Sequence, residues 1–275
     1  MNDRDCVAFL QWCLLSLGMR WAGFRKVRKQ VCKKISRRMN ELGVGDVKAY
    51  RSYLISHKDE WTTLGSLCRV TISRFYRDRG VFDRLRSDLL PSAAGAAASR
   101  GASRVRIWSA GCASGEEPYT LAIIWGSDHP CSVGLEVIAT DADPRMLERA
   151  REGRYNKSSL KDLPDGLRKR AFTEADGAIV IKDAIKRAVD FQLGDIREEP
   201  PPGVFDLIFC RNLAFTYYDE FGQAAVLEAV RKSLIPGGYL VIGVHERLPG
   251  SGVDFELCSN ITGAYKYWPR GCGGA

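Results

Sequence analysis

A chain of 275 residues, 45% hydrophobic and 27% charged, is long enough for one large domain and a small one, and its composition excludes both disorder and a fibre. The net charge of +8 is unevenly placed: residues 1–90 hold 19 Lys or Arg against 9 Asp or Glu, and the remainder is close to neutral. Nine cysteines, an odd number with no C-x-x-C pair and no Cys/His cluster at metal-ligand spacing, argue against a metal site, and free thiols place the chain in a reducing cytoplasm.

The apolar run Cys6 to Leu17 follows Asp3 and Asp5 and leads into an Arg-rich stretch rather than a small-residue cleavage site, so it is not read as a signal peptide. It is also well short of the ~20 apolar residues that span a bilayer, and no membrane insertion is expected. Val27, Val31, Ile35, Met39 and Leu42 then recur at helical spacing. The other face of that helix carries Arg25, Lys26, Arg28, Lys29, Lys33, Lys34, Arg37 and Arg38 with no acid among them. Gly43 stops it, and further helices are expected at Val47 to Ile55, Trp61 to Cys68 and Val81 to Leu90. The Ala/Gly/Ser segment 91–104 reads as a linker without large apolar residues, dividing a helical domain, 1–90, from an α/β domain, 105–275.

Beyond it, short β-branched runs at Val105 to Trp108, Leu135 to Thr140, Asp206 to Cys210 and Tyr239 to Gly243 alternate with helical stretches, the pattern of a doubly wound, mostly parallel sheet. Ala178 to Ile181 and Ala188 to Leu193 read as two short strands around a charged piece, a small β excursion near 171–191. Phe255 to Trp268 reads as an antiparallel terminal pair. In open α/β sheets ligands lie beyond the carboxyl ends of the strands, which directs attention to the residues there.

The first strand runs into Ser109-Ala110-Gly111-Cys112-Ala113-Ser114-Gly115, whose small side chains admit a ligand close to the backbone, followed by a helix opening on Glu116 and Glu117. Two acids there would repel a pyrophosphate, so a cationic nucleoside suits the loop better than a dinucleotide. The second strand ends at Thr140-Asp141-Ala142-Asp143. Asp141 is placed to accept from ribose hydroxyls, the alternative being a helix N-cap, a role more natural for Asp143. His57 and His129 read as solvated loop residues, His245 lies just past a strand end, and Cys112 and Cys210 read as small packing residues.

SRFYRD (Ser73 to Asp78), RIWSAGCASGEEPYTLA (Arg106 to Ala122), ATDAD (Ala139 to Asp143) and FDLIFCRN (Phe205 to Asn212) stand in the order and spacing of the chemotaxis-receptor methyltransferases, and the chain resembles this CheR family from about Phe24 to Trp268. The resemblance implies a class I methyltransferase fold with an antiparallel C-terminal hairpin behind a helical domain. The implied cofactor is S-adenosylmethionine, leaving as S-adenosylhomocysteine, and the implied acceptor is a glutamate side chain of a protein. It implies that Thr71, Ser73 and Arg77 reach the cofactor from the N-terminal domain, with Ala110 and Gly111 in the loop. Glu117 would meet the amino-acid portion, Asp141 and Ala142 the ribose, Asp195 and Ile196 the adenine, and Arg211 and Asn212 the sulfonium side. Asp195 could equally be a turn residue after Gly194.

The departures fall on the acceptor side. Leu213-Ala214-Phe215-Thr216-Tyr217-Tyr218-Asp219 is one residue longer than the family pattern, so the expected acceptor-side tyrosine is Tyr217 with Tyr218 as its rival. Arg77 would hold a carboxylate bidentately and Tyr217 would orient it. Their bland alternatives are a surface ion pair of Arg77 with Asp78 or Asp83, and a core aromatic. A small-molecule methyltransferase and a cofactor-binding regulator with little turnover remain rival readings. The basic helix fits a solvated face or a dock for an acidic protein surface; nucleic acid is less well supported, because no aromatic platform accompanies the charge.

Overall fold

The computed structural model describes residues 2–128, 133–175 and 177–269, so His129, and Asp176 in the short connection 173–177, lie outside the described residues. The chain forms two compact units, one of Met1–Thr71 with Thr216–Gln223, the other of Ile72–Phe215 with Ala224–Ala275.

The first unit is helical. The apolar run near the N-terminus is a helix, α1 (Asp3–Ser16), because Cys6, Phe9, Leu10, Cys13 and Leu14 fall on one buried face and Asn2 caps its start by accepting from the Asp5 amide. After a single turn, α2 (Trp21–Phe24), the basic helix α3 spans Arg28–Glu41 and buries Val31, Ile35 and Met39 as the periodicity requires. Next come α4 (Val47–Ser56), capped by the Asp46 carboxylate, and α5 (Glu60–Cys68). Glu60, only 5% exposed, is held by Arg38 at 2.8 and 3.0 Å and by the Tyr50 hydroxyl at 2.8 Å, so the buried charge is fully paired. Cys6 and Cys32 form a disulfide between α1 and α3, with Cα atoms 6.0 Å apart, where the composition had suggested free thiols. The pairing depends on two helix faces meeting, which cysteine spacing does not reveal. The segment from 216 to 223 belongs to this unit: the Arg20 amide donates to the Tyr217 carbonyl, Met19 bridges Tyr218, and a Cβ on Gly23 would lie 2.2 Å from the Thr216 carbonyl oxygen.

The second unit begins with α6 (Arg79–Arg84), a π-helical turn (Leu85–Leu89) and α7 (Leu90–Ser99). The segment expected to be a linker is therefore mostly a helix, and the boundary expected at 91–104 falls instead at Thr71/Ile72. Alanine has the strongest helix propensity, Pro91 sits in the tolerant first turn, and Ala93 and Ala97, four residues apart, are small enough to pack closely in the core. Absence of large side chains marked close packing here, not flexibility.

Among the described residues the main sheet has seven strands in the order β6-β2-β1-β7-β8-β10-β9. They are β1 (Arg104–Ala110), β2 (Gly134–Asp141), β6 (Val189–Leu193), β7 (Phe205–Cys210), β8 (Leu234–Ile242), β9 (Phe255–Leu257) and β10 (Ala264–Tyr267). The first five are mutually parallel and the last two form the antiparallel hairpin. In register, Ala110 lies beside Thr140, Asp141 beside Leu193 and Cys210 beside Ile242, so the carboxyl ends of the parallel strands share one edge. Chain order reverses direction between β1 and β7, and a crevice at such a switch point is where this architecture binds ligands.

A separate three-stranded antiparallel sheet joins β3 (Arg154–Tyr155), β4 (Phe172–Ala175) and β5 (Ala178–Ile181). The expected excursion over 171–191 therefore needs correcting: it ends at Ile181, recruits Arg154–Tyr155, and gives its second strand to the main sheet. Val189 and Phe191 are buried beside β2, which the short apolar run alone could not distinguish from a satellite strand.

Candidate functional site

The turn after β1 is shaped by backbone hydrogen bonds before any side chain acts. The Gly111 and Cys112 amides both donate to the Thr140 carbonyl, at 2.8 and 3.0 Å, pinning the loop against the end of β2. Gly111 has φ +73°, and a Cβ there would also fall 2.4 Å from Leu213 Cδ2. Asp141 Oδ2 accepts from the Ala113 amide and Oδ1 from the Asp143 amide, both at 2.8 Å. The capping role goes to Asp143, which opens helix α9 (Pro144–Glu152) by accepting from the Arg145 amide. Asp141 is left at the strand end with a fixed carboxylate, each oxygen of which can accept more than one hydrogen bond. Ala110 is buried at the end of β1, and Ala142 follows Asp141, half-buried.

Helix α8 (Glu116–Asp128) opens on two acids with different fates. Glu116 is buried; burial raises its carboxyl pKa against hydrogen bonds from its own amide and from the Ser114 and Ser73 hydroxyls. Ser73, expected at the cofactor, stands close enough to Glu116 for its hydroxyl to lower that carboxyl's pKa. Glu117 accepts from the Ser109 hydroxyl at 2.8 Å and from Arg211 Nη1 at 3.0 Å. Arg211 also donates through Nη2 to the Asp78 carboxylate (2.7 Å) and the Arg77 carbonyl (3.0 Å). Asn212 adopts φ +56°, with its amide and that of Gly243 both donating to the buried Glu246 carboxylate, at 2.8 and 2.6 Å.

Ala110, Gly111, Glu117, Asp141, Arg211 and Asn212 therefore line the ends of β1, β2 and β7, around the switch point. Asp195 and Ile196 follow β6, where Asp195 caps the Arg197 amide and pairs with the Arg197 guanidinium at 2.7 Å, satisfying the turn reading as well. Arg77 donates to the Ile72 carbonyl at 2.7 Å and forms neither anticipated ion pair, since Asp78 turns to Arg211, and Asp83 to Tyr76 and Arg79. Thr71 and Tyr217 belong to the helical unit, where the Tyr217 ring packs edge-on against Phe24 at 5.1 Å; Tyr218 is buried there.

Sequence reasoning missed Asp78, Ser109 and Glu246 as organising residues. Asp78 closes the quoted SRFYRD motif and Glu246 follows the last parallel strand, so position relative to strand ends was the available signal. Cys112 and Cys210 are buried and burial pushes both thiols up, which suits packing and not nucleophilic work. His57 is exposed and stacked on Tyr53, and His245 is exposed on the wall of a cavity of about 410 Å³ with Glu246 and Cys258. The donor set fits a cationic nucleoside. Two fixed carboxylates flank a close-approach backbone turn, and the guanidinium of Arg211 is already engaged by acids, so little is left to hold a phosphate.

The family described as CheR methyltransferase, SAM binding domain, matches residues 71–263. The chain belongs to this family. A probable chemotaxis protein methyltransferase of Rhizobium etli is 32% identical over 88% of this chain and 92% of its own, and a chemotaxis protein methyltransferase of Salmonella typhimurium is 30% identical over 84% and 80%. Among solved structures, a glycopeptide N-methyltransferase with bound S-adenosylmethionine aligns over 62% of this chain and 56% of its own, at a TM-score of 0.35 and 15% identity. This CheR-family chain is an S-adenosylmethionine-dependent methyltransferase.

Proposed function

We propose that the enzyme methylates glutamate side chains of a protein acceptor, forming γ-methyl esters, and that it works in the cytoplasm on chemotaxis receptors, the acceptors the family resemblance implies. The carrying observation is the family match over 71–263, within which Arg211 of the CRN motif, at the end of β7, donates to the Arg77 carbonyl and Asp78 carboxylate of SRFYRD. No helix among the described residues is long and apolar enough to cross a membrane, which suits an enzyme that meets its receptor from outside the bilayer.

S-adenosylmethionine, when bound, supplies an electrophilic methyl group on a sulfonium centre. Asp141 and Ala142 would hold the ribose side, Asp195 and Ile196 the adenine, and Glu117 with the Arg211-Asn212 turn the amino-acid side; Thr71, Ser73, Ala110 and Gly111 would complete the site. A glutamate carboxylate, with ordinary pKa ~4.3, is ionised at neutral pH, so the chain needs no general base. Bound S-adenosylmethionine would supply its methyl group to a carboxylate oxygen and leave as S-adenosylhomocysteine, so the chain's own residues would have no proton to move. Positioning then supplies the acceleration: Arg77 grips the carboxylate and Tyr217 orients it, both assigned on family likeness.

Transfer of labelled methyl groups to receptor cytoplasmic fragments tests this directly. Base-labile label on glutamate is expected. Base-stable product would move the assignment to another nucleophile, and absence of any transfer would favour a regulator. Arg77→Lys, which keeps charge but loses the planar fork, should lower turnover at saturating cofactor.

A further inference from the structure

Arg77 sits between two non-glycine residues in the left-handed region, Tyr76 at φ +59° and Asp78 at φ +64°. Such backbone persists only where its surroundings over-determine it, and here they do so from both sides. Upstream, Phe75 and Tyr76 are fully buried: Phe75 packs edge-on against Tyr155 and Phe172 at 4.7 and 5.1 Å, while the Tyr76 hydroxyl donates to Asp83 and its amide to the Thr120 hydroxyl. Downstream, the Val81 amide donates to the Asp78 carbonyl at 2.8 Å, and one guanidinium ties Arg77 and Asp78 to the α/β sheet. Arg211 Nη2 donates both to the Asp78 carboxylate and to the Arg77 carbonyl, and the Arg211 side chain is 3% exposed, with its guanidinium carbon 5.1 Å from the centroid of the Phe82 ring.

The other end of that guanidinium is committed as well. Arg211 Nη1 donates to Glu117, whose second oxygen takes the Ser109 hydroxyl on β1. A single buried cation therefore joins the turn that carries Arg77 to the carboxylate at the head of α8. Charge-assisted hydrogen bonds in a buried site are strong and geometrically demanding, so displacement of Glu117 must be felt at Asp78 through the shared partner.

We propose that Asp78 is a positioning residue: it locks the Arg77 turn through Arg211, and because the same guanidinium holds Glu117, it couples the setting of Arg77 to occupancy of the cofactor site. The proposal rests on the reading of Glu117 as a cofactor residue and Arg77 as the acceptor residue. Asp78 itself need touch neither molecule. By linkage, whatever bound cofactor does to the turn, the turn does equally to cofactor affinity, and only the part of that affinity carried through Arg211 is at stake.

Two substitutions separate the carboxylate from the backbone. Asp78→Asn keeps tolerance of the left-handed region and one acceptor oxygen but loses the charge, and Asp78→Gly keeps the backbone freedom and loses the side chain. The probe is S-adenosylhomocysteine, with affinity read by calorimetry and amide hydrogen exchange followed in residues 74–80 and 111–117. In the parent protein the probe should slow exchange in both segments. In both variants it should still bind within about fivefold of the parent, the lower end of ordinary coupling, and still protect 111–117, while protection of 74–80 is lost. Methyl transfer at saturating cofactor should then fall in kcat with KM for the cofactor little changed, and Asp78→Asn should retain more activity than Asp78→Gly. Variants in which the probe protects 74–80 as in the parent overturn the coupling and leave the cofactor reading standing. A parent that does not bind the probe overturns both.

Discussion

Asp141 holds the switch-point turn and is expected to hold the cofactor, so its substitution should be felt in binding before it is felt in folding. Its two oxygens accept the Ala113 and Asp143 amides at 2.8 Å, bonds that fix where the carboxylate points. Asp141→Ala should weaken binding of S-adenosylhomocysteine by about 1 to 3 kcal/mol, the range for losing hydrogen bonds to a charged acceptor, and calorimetry giving parental affinity would remove Asp141 from the site. Two buried acids make opposite predictions about pH. Arg38, followed by the Tyr50 hydroxyl, outweighs burial at Glu60 and holds its carboxyl pKa below the ordinary value; at Glu116 burial outweighs the hydroxyl and amide donors and raises it. A depressed carboxyl contributes stability that is present above its unfolded pKa and lost as pH falls through the folded one. A raised carboxyl contributes stability fully present below its unfolded pKa and lost as pH rises through the folded value. Glu60→Gln should therefore lower Tm at pH 7 and lose most of that effect in acid, whereas Glu116→Gln should cost less at pH 7 than at pH 4 or even stabilise. Parallel pH profiles for the two variants would contradict the assigned burial and pairing.

The basic helix α3 shows what an element adds to a charge count. Of the eight cations expected along it, Arg25 and Lys26 precede its first turn; of the six on the helix, Arg28 pairs with Asp3, Lys34 donates to the Arg69 carbonyl and Arg38 clamps Glu60, so these three build the helical unit. Lys29, Lys33 and Arg37 are exposed on α3, as are Arg25 and Lys26 before it, and the three on the helix are the ones an acidic protein would meet. Reversing Lys29, Lys33 and Arg37 to Glu should slow association with an acidic receptor fragment and flatten its salt dependence while leaving S-adenosylhomocysteine affinity unchanged. Equal association rates for parent and variant would make this a solvated face. The distinction was not available from the sequence, because periodicity separates the apolar stripe from the polar side but does not say which polar residues find internal partners. Periodicity did place α3, α4, α5 and the parallel strands, since each buries its stripe or run against one core. It failed at α7, where an alanine run resembled a linker, and it assigned no element to the apolar run that forms α1.

Strand ends, not strand interiors, carried the functional information at the scale of the whole chain. Gly111, Glu117, Asp141, Arg211 and Asn212 were legible because motif residues at the carboxyl ends of parallel strands converge in any sheet of this order. The unit boundary was illegible because it depends on long-range packing: residues 216–223 join the helical unit although nothing in their composition separates them from the flanking α/β sequence. The position of that boundary has a consequence that truncation can test. A chain beginning at residue 105, as the expected linker suggests, discards Phe82, Leu85, Leu89, Leu90, Ala93 and Ala97, all buried in the same core as Val105, Ile107 and Leu121. Losing even one large buried side chain costs about 2 to 5 kcal/mol, so removing this set exceeds the 5 to 15 kcal/mol that holds a typical domain together. A chain beginning at residue 72 keeps that core and loses the partners of residues 216–223, among them Met19, which bridges Tyr218, and the Arg20 amide. The shorter chain is expected to be insoluble or unfolded by circular dichroism. The longer one should show cooperative unfolding at a Tm below that of the full chain. A stable, S-adenosylhomocysteine-binding fragment 105–275 would show that the helical segment 79–99 is an appendage after all, and would return the boundary to the alanine-rich stretch.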